Sequence, residues 1–175
     1  MLSLIWAPAK VGDGFTEGVT TGPLIDRNAL KKVLEHVADA VAKGATVEAG
    51  GKPASQGGLF FEPTILTGAT GEMRLSSEET FGPVAPLFKF STEQQVIEMA
   101  NNTEFGLASY FFSRDVSKIF RVAEALEFGM VGVNTGLIST EVAPFGGIKQ
   151  SGIGREGSKY GIDHYTEMKY ICLSV

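Results

Sequence analysis

The stretch GLASYFFSRDVSKIFRVAEALEFGMVGVN, residues 106–134, decides the fold. It begins with the short apolar run GLASYFFS (106–113) and ends with MVGVN (130–134), and both runs are typical of strands. The residues between them have helical spacing, with Asp115 as the N-terminal cap and Gly129 at the end. The apolar positions on one helical face are Val116, Ile119, Phe120, Ala123 and Leu126. Strand, helix and strand in this order predict a parallel βαβ unit.

The same alternation extends towards the N-terminus. VAPLFKF (84–90) predicts a strand and STEQQVIEMANN (91–102) a helix, with Ser91 and Gln94 at capping-box spacing. The alternation over residues 84–134 therefore predicts an α/β fold with one parallel sheet. Ligands of such sheets bind outside the carboxyl ends of the strands, so the loops at those ends are of functional interest. Those loops contain NTGLIST (134–140) and PFGGIKQSG (144–152).

Simpler patterns flank this region. DRNALKKVLEHVADAVAKG (26–44) predicts an amphipathic helix that Asp26 caps and Gly44 ends. TVEAGG (46–51) predicts a short strand, and LFFEPTIL (59–66) a strand that Pro63 interrupts. YTEMKYICLSV (165–175) predicts a final strand.

Composition excludes several classes of protein. The chain has 175 residues, 43% of them hydrophobic, and a net charge of −5 without a dominant basic patch, which argues against a nucleic-acid partner. No apolar run approaches the length of a membrane span. Cys172 is the single cysteine, so an intramolecular disulfide and a cysteine-rich metal site are excluded. The opening MLSLIWAPAK (1–10) lacks the charged start of a signal peptide and stands apart as an atypical N-terminal segment.

Gly152, Gly154 and Gly157 spell the G-x-G-x-x-G pattern of dinucleotide-binding loops. That pattern binds pyrophosphate only between a buried strand and a helix, inside a βαβ unit. PFGGIKQS, which precedes it, is no buried strand, and too few residues follow. The glycines instead indicate tight turns and close backbone approach.

Few side chains offer a reaction centre. His36 and His164 are far apart and lack metal-ligand spacing, which favours one solvated and one partly packed histidine and no metal site. Cys172 in an apolar strand is typical of a small buried hydrophobe, without a base to activate it.

SSEETFGPVAP (76–86) is more informative and leaves two interpretations open. In the first, it is a capped turn with a solvated acidic pair. In the second, one carboxylate accepts hydrogen bonds from sugar hydroxyls, and the phenylalanine packs beside a flat ring.

Several motifs, in order, resemble the NAD(P)-dependent aldehyde dehydrogenase family: GPLI (22–25), EETFGPVAPL (78–87), FGLAS (105–109), GVN (132–134) and PFGGIKQSGIGREG (144–157). The resemblance runs from about residue 11 to the end, and residues 136–173 are most similar to the branch that acts on succinate semialdehyde. It implies that residues 11–160 form part of the α/β catalytic domain of that fold. In the family chain this domain is C-terminal. It also implies a C-terminal oligomerisation strand over residues 161–175.

The resemblance also assigns roles to residues of this sequence. Glu79 matches the residue that holds the hydroxyls of the nicotinamide ribose, and Phe81 the aromatic beside the nicotinamide ring. Ser139 matches the serine that hydrogen-bonds the distal carboxylate of the substrate, and Phe145 an aromatic of the aldehyde pocket. The implied cofactor is NAD or NADP, and the implied location is the bacterial cytoplasm or the mitochondrial matrix. The implied assembly is a homo-oligomer.

The resemblance also shows what these residues do not include. The family's nucleophilic cysteine, general-base glutamate, oxyanion asparagine, carboxylate-binding arginines and nucleotide-binding domain match nothing in the 175 residues. The chain alone is therefore predicted to be inactive, with no catalytic residue of its own. Two other hypotheses stay open: a non-catalytic assembly partner of full-length subunits, and a small-carboxylate-binding module. Exposed apolar side chains at Phe81, Leu137 and Phe145 are expected to make the chain associate.

Overall fold

The computed structural model describes residues 9–175, which divide into two compact units. The first unit ends at Lys89, and the second runs from Phe90 to Val175. Most of the predicted atypical segment 1–10 lies outside the described residues. Among those described, no helix has the length and apolar character needed to cross a bilayer.

The first unit places one helix against a three-stranded mixed sheet. Its elements are α1 (Arg27–Ala42), β1 (Thr46–Ala49), β2 (Thr64–Ala69), a 3-10 turn (Arg74–Ser76) and β3 (Val84–Phe88). Strand β2 is central: β1 pairs with it antiparallel and β3 pairs with it parallel. Three residues of β2, Thr64, Ile65 and Leu66, are almost wholly buried, as expected of a central strand.

Helix α1 begins where the sequence predicts. The Asp26 carboxylate accepts a hydrogen bond from the Ala29 amide at 2.7 Å, and Gly44 follows the helix with a φ of +98°. The buried face of α1 carries Val33, His36, Val37 and Ala40. Its apolar members pack with Phe61, Leu66 and Met73 into the core of the first unit.

The second unit contains the predicted βαβ arrangement. Its elements are α2 (Glu93–Asn101), β4 (Phe105–Gly106), β5 (Ala108–Phe111), α3 (Val116–Ala125), β6 (Met130–Val133), β7 (Ile148–Lys149) and a 3-10 turn (Gly161–Tyr165). Strands β5 and β6 pair in parallel from Ala108↔Met130 to Phe111↔Val133, and the Asp115 carboxylate caps α3 by accepting from the Lys118 amide. Strands β4 and β7 form a separate antiparallel pair.

The observed pairing of the strands differs from the predicted pairing. The parallel pairing of β5 with β6 is confirmed, but β3 pairs with β2 instead of joining them in one sheet. Strands adjacent in the chain become neighbours only as a tendency, and the alternation of elements does not fix the partner. Strand β2 also starts later than predicted, at Thr64, because Pro63 has no amide hydrogen for the ladder.

Two predicted helix boundaries were wrong. Thr92, not Ser91, caps α2, because its hydroxyl accepts a hydrogen bond from the backbone amide of Gln95 at 3.1 Å. Helix α3 ends at Ala125 with Leu126 as its cap, so Gly129 does not end the helix. Gly129 is instead a point of close contact, since a Cβ there would collide with the backbone of Gly146 and Gly147.

The predicted final strand is absent as a strand from the described residues. Residues 161–165 form the 3-10 turn, and residues 166–175 have no strand pairing and are exposed. A strand needs a neighbouring edge for its amide and carbonyl groups, and no described edge pairs with this segment. We name residues 166–175 the C-terminal segment.

Candidate functional site

The glycine-rich loop of residues 144–157, here the glycine loop, closes on itself. The Phe145 amide donates to the Glu156 carbonyl at 2.9 Å, and the Glu156 amide donates back to the Phe145 carbonyl at 2.7 Å. A Cβ at Gly146 would collide with the carbonyl oxygen of Gly154. The two-residue strand β7 lies within this loop, and a 3-10 turn comes after it. The structure therefore confirms that the loop is not a strand-to-helix phosphate loop and that its glycines allow close backbone approach.

Arg155 holds the glycine loop in shape. Its Nη1 donates to three backbone carbonyls, those of Gly147 at 2.7 Å, Gly154 at 2.8 Å and Ile153 at 3.2 Å. Its amide donates to Nε2 of His164 at 3.0 Å. His164 is exposed, which confirms the predicted solvated histidine.

A groove of about 790 Å³ borders the glycine loop within the second unit. Phe145 gives it an aromatic wall, with Arg155, His164 and Tyr165 among the other lining residues. Phe145 is only half-buried, so its ring is less open than the sequence suggested. Ser139 does not line this groove, so the groove contains only one of the two predicted substrate contacts.

Ser139 lies on the exposed loop that follows β6. Asn134 anchors the start of this loop, because its side chain accepts from the Ser113 amide at 2.9 Å and donates to the Ser113 carbonyl at 2.8 Å. Beyond this anchor Leu137 is 90% exposed and Ser139 is exposed. The serine hydroxyl is therefore accessible to a small polar ligand.

The two acids of the SSEETFGP motif have different surroundings. The Glu78 carboxylate accepts from Nε and Nη2 of Arg74, each at 3.0 Å, and lies 3.2 Å from Nε2 of His36. Glu79 is exposed, and the Phe81 ring beside it is 76% exposed. Glu78 is therefore an ion-paired acid whose side chain is still 42% exposed, whereas Glu79 and Phe81 are both exposed on the first unit.

The ion pair of Glu78 should make the stability of the first unit depend on pH. The Arg74 guanidinium foremost, and His36 after it, lower the pKa of Glu78 from 4.5 to about 2. A lowered folded-state pKa contributes stability that is present above 4.5 and is lost as the pH falls towards 2. We expect the urea concentration at the unfolding midpoint of the first unit to decrease as the pH is lowered from 4.5 to about 2.

The matched control is Glu78→Gln, which keeps the shape of the side chain and cannot titrate. The decline of the urea midpoint should be shallower in this variant, with the part due to Asp39 remaining, because Lys43 and the Arg74 amide also lower the pKa of Asp39. Equal slopes in the two proteins would show that the Glu78 pair does not contribute.

Two expectations about isolated residues need correction. Cys172 is exposed in the C-terminal segment, because that segment has no neighbouring strand to bury it, and it is not a buried hydrophobe. His36 is not partly packed but fully buried, with both ring nitrogens hydrogen-bonded. The sequence signal for it was its position on the apolar face of α1 with Val33, Val37 and Ala40. Within residues 9–175 no group of three metal-binding side chains comes together.

Known proteins resemble this chain over almost its whole length. The model of the aldehyde dehydrogenase family matches residues 6–171, and the chain belongs to that family. It is 64% identical over 167 residues to the glutarate-semialdehyde dehydrogenase of Pseudomonas aeruginosa, covering 95% of this chain and 35% of the relative. It is 62% identical to the succinate-semialdehyde dehydrogenase [NADP(+)] of Escherichia coli, covering 94% of this chain and 34% of the relative.

A solved structure gives the same result for the fold. The succinate-semialdehyde dehydrogenase of Burkholderia pseudomallei superposes with a TM-score of 0.97 at 59% identity, covering 99% of this chain and 36% of that one. The fold is thus the aldehyde dehydrogenase fold, with mixed helix and strand content. The chain spans about a third of the length of these relatives.

Proposed function

We propose that this chain is part of an NAD(P)-dependent dehydrogenase that oxidises succinate semialdehyde to succinate. The observation that carries the proposal is the exposed pair Glu79 and Phe81, held beside an internally paired Glu78. In this assignment Glu79 and Phe81 contribute contacts to the cofactor, and Ser139 and Phe145 contribute contacts to the aldehyde. Its location would be the bacterial cytoplasm or the mitochondrial matrix.

Glu79 and Phe81 fit the nicotinamide nucleoside part of NAD or NADP. An ionised carboxylate only accepts hydrogen bonds, so Glu79 can take them from two ribose hydroxyls. The exposed face of Phe81 offers a flat apolar surface for a flat ring. The bound cofactor supplies the hydride acceptor of the reaction. The task of these two residues is to orient the nucleoside.

Ser139 and Phe145 fit an aldehyde with an anionic far end. The exposed Ser139 hydroxyl can donate to a carboxylate, and charge-assisted bonds of this kind are stronger than neutral ones. The Phe145 ring can wall the carbon chain. The two relatives described above are named for semialdehydes of dicarboxylic acids, glutarate and succinate. We choose succinate semialdehyde because residues 136–173 resemble that branch, and glutarate semialdehyde is its direct competitor in the assay.

The nucleophile must come from outside these 175 residues. An aldehyde dehydrogenase of this family uses a thiolate to attack the aldehyde, and this step needs an activated cysteine and a base. Cys172, the single cysteine, is exposed in the C-terminal segment and matches no position of the family nucleophile. We propose that the thiolate and its base belong to the part of the relatives that this chain does not span.

The test is an NAD(P)H-production assay with succinate semialdehyde, on the chain alone and mixed with a full-length relative. We expect no production by the chain alone, because residues of a catalytic set act as a unit. Turnover by the chain alone would overturn the assignment of a missing nucleophile, and Cys172→Ser would then show whether Cys172 had replaced it. Titration with NAD+ should perturb the NMR signals of Glu79 and Phe81, and binding that perturbs other residues but leaves these two unchanged would count against their role.

A second candidate function is that of an assembly partner. The C-terminal segment presents large exposed apolar side chains, among them Tyr170, Ile171 and Leu173. An extended segment of this kind can add as a strand to an exposed sheet edge of another subunit. In the mixed assay a changed rate of the full-length relative, abolished when residues 166–175 are deleted, would favour this function. An unchanged rate would exclude it.

A further inference from the structure

We propose that His36 is a positioning residue for the loop of residues 77–82, here the acidic loop, and so fixes Glu79 and Phe81. The inference rests on the proposed function for what these two residues bind. It concerns a fully buried titratable group to which the proposed function gives no task. The structure places its two hydrogen bonds on either side of Glu79.

The imidazole of His36 holds both neighbours of Glu79. Its Nδ1 lies 2.6 Å from Oγ1 of Thr80, and its Nε2 lies 3.2 Å from Oε2 of Glu78. His36 is 0% exposed, so no water reaches the ring to replace either partner. A buried polar group without a partner is costly. Losing either contact therefore favours a rearrangement of the acidic loop.

The chemistry of the partners decides which ring nitrogen carries the proton. The Glu78 carboxylate only accepts hydrogen bonds, so Nε2 must carry a hydrogen and donate to it. In a neutral ring Nδ1 then accepts, and the Thr80 hydroxyl donates to it. A neutral His36 thus satisfies every polar atom of the contact.

The charged groups around this contact also hold Glu78. Arg74 pairs with both carboxylate oxygens of Glu78 and reaches Glu35 on α1 at 3.4 Å. The Arg74 amide donates to Asp39, also on α1, at 2.8 Å, and Asp39 pairs with Lys43. The beginning of the acidic loop is therefore linked to α1 through His36 and through Arg74.

The end of the acidic loop also lies against α1. A Cβ on Gly82 would come within 2.6 Å of Cγ2 of Val33, so only a residue without a side chain fits at this distance. The Gly82 amide donates to the Thr80 carbonyl at 2.9 Å in a tight turn. Glu79 and Phe81 therefore project from a segment that is held at both ends.

Glu78, His36 and Thr80 have the connectivity of a carboxylate, imidazole and hydroxyl triad. A reactive triad must pass a proton between its imidazole and a substrate. Here the imidazole is enclosed and the hydroxyl is committed to it. The burial therefore assigns the set to holding the loop and not to chemistry.

The test compares Thr80→Val, which removes the hydroxyl at equal size, with Thr80→Ser, which keeps it. We expect backbone NMR order parameters of Glu79, Thr80 and Phe81 near ~0.85 in the unchanged chain and below ~0.6 in Thr80→Val. Thr80→Ser should retain the higher values, and amides of β2 should stay rigid in all three proteins. A rigid acidic loop in Thr80→Val, or a flexible one in the unchanged chain, would overturn the proposal.

A second measurement uses the unchanged chain and therefore does not depend on whether a variant folds. The ¹⁵N spectrum of the His36 ring in the unchanged chain should show the proton on Nε2. A proton on Nδ1 alone would leave Nε2 without a hydrogen for Glu78 and would contradict the assigned contact.

Titration with nicotinamide mononucleotide separates the two proposals. A rigid acidic loop whose Glu79 and Phe81 signals stay unchanged while the nucleotide perturbs other residues would refute the cofactor role and leave the positioning role intact. If they respond in the unchanged chain, we expect the dissociation constant to rise about tenfold in Thr80→Val and to recover in Thr80→Ser. An unchanged constant in Thr80→Val would refute the functional part of the inference.

Discussion

Gly146→Ala is expected to destabilise the second unit by about 3 kcal/mol and to open the glycine loop. The added Cβ collides with the carbonyl oxygen of Gly154 and crowds the Arg155 side chain. A backbone oxygen cannot turn away as a flexible side chain can, so the paired backbone of Phe145 and Glu156 must separate. The loss of those two hydrogen bonds, at about 1 kcal/mol each, accounts for about 2 kcal/mol of this destabilisation.

The matched control for this prediction is Gly136→Ala in the same unit. A Cβ at Gly136 meets no atom within 4 Å, and its φ lies outside the left-handed region. Its effect should stay within about 0.5 kcal/mol. The measurement is urea unfolding of both variants, followed by NMR signals of β5 and β6. Equal midpoints for the two alanine variants would mean that the loop adapts, and close backbone approach would then not explain Gly146.

Phe61→Ala is expected to destabilise the first unit by about 3–5 kcal/mol. The Phe61 side chain is 1% exposed and belongs to the core cluster with Val33, Leu66 and Met73. Truncation removes the transfer free energy of the ring and leaves a cavity that the short sheet can close only in part. This is a large share of the total stability of a small domain.

Phe15→Ala is the control for the same residue type in the same unit. Phe15 is fully exposed, and its truncation should change the free energy of unfolding by no more than about 0.5 kcal/mol. Urea unfolding followed by circular dichroism and by NMR signals of β2 gives both values. A loss below about 1 kcal/mol in Phe61→Ala would show that the first unit does not depend on this core.

The sequence predicted the local features well because local chemistry determines them. The Asp26 and Asp115 caps and the parallel βαβ pair over residues 106–134 follow from capping and periodicity. The predicted partner of β3 was wrong because strand pairing depends on contacts between residues that are distant in the chain. The same holds for the C-terminal segment, since no pattern within it specifies an edge to pair with.

The candidate site could likewise be predicted only in part. The motif around Glu79 and Phe81 is visible in the sequence, and both residues are exposed as an external ligand requires. The buried contacts of His36 join residues 42 and 44 positions apart. A histidine on an apolar helix face shows that something must satisfy its nitrogens, but not which residues do so. Only the folded chain identifies Glu78 and Thr80.

The ion pair between Arg74 and Glu78 also shapes the electric field that a nucleotide would meet in the proposed cofactor role. Two adjacent carboxylates would repel the pyrophosphate of a dinucleotide more strongly than one. Because the guanidinium balances Glu78, the loop presents the single unbalanced charge of Glu79. In the proposed cofactor role this charge would face the ribose hydroxyls, and no second unpaired carboxylate would repel the anionic ligand.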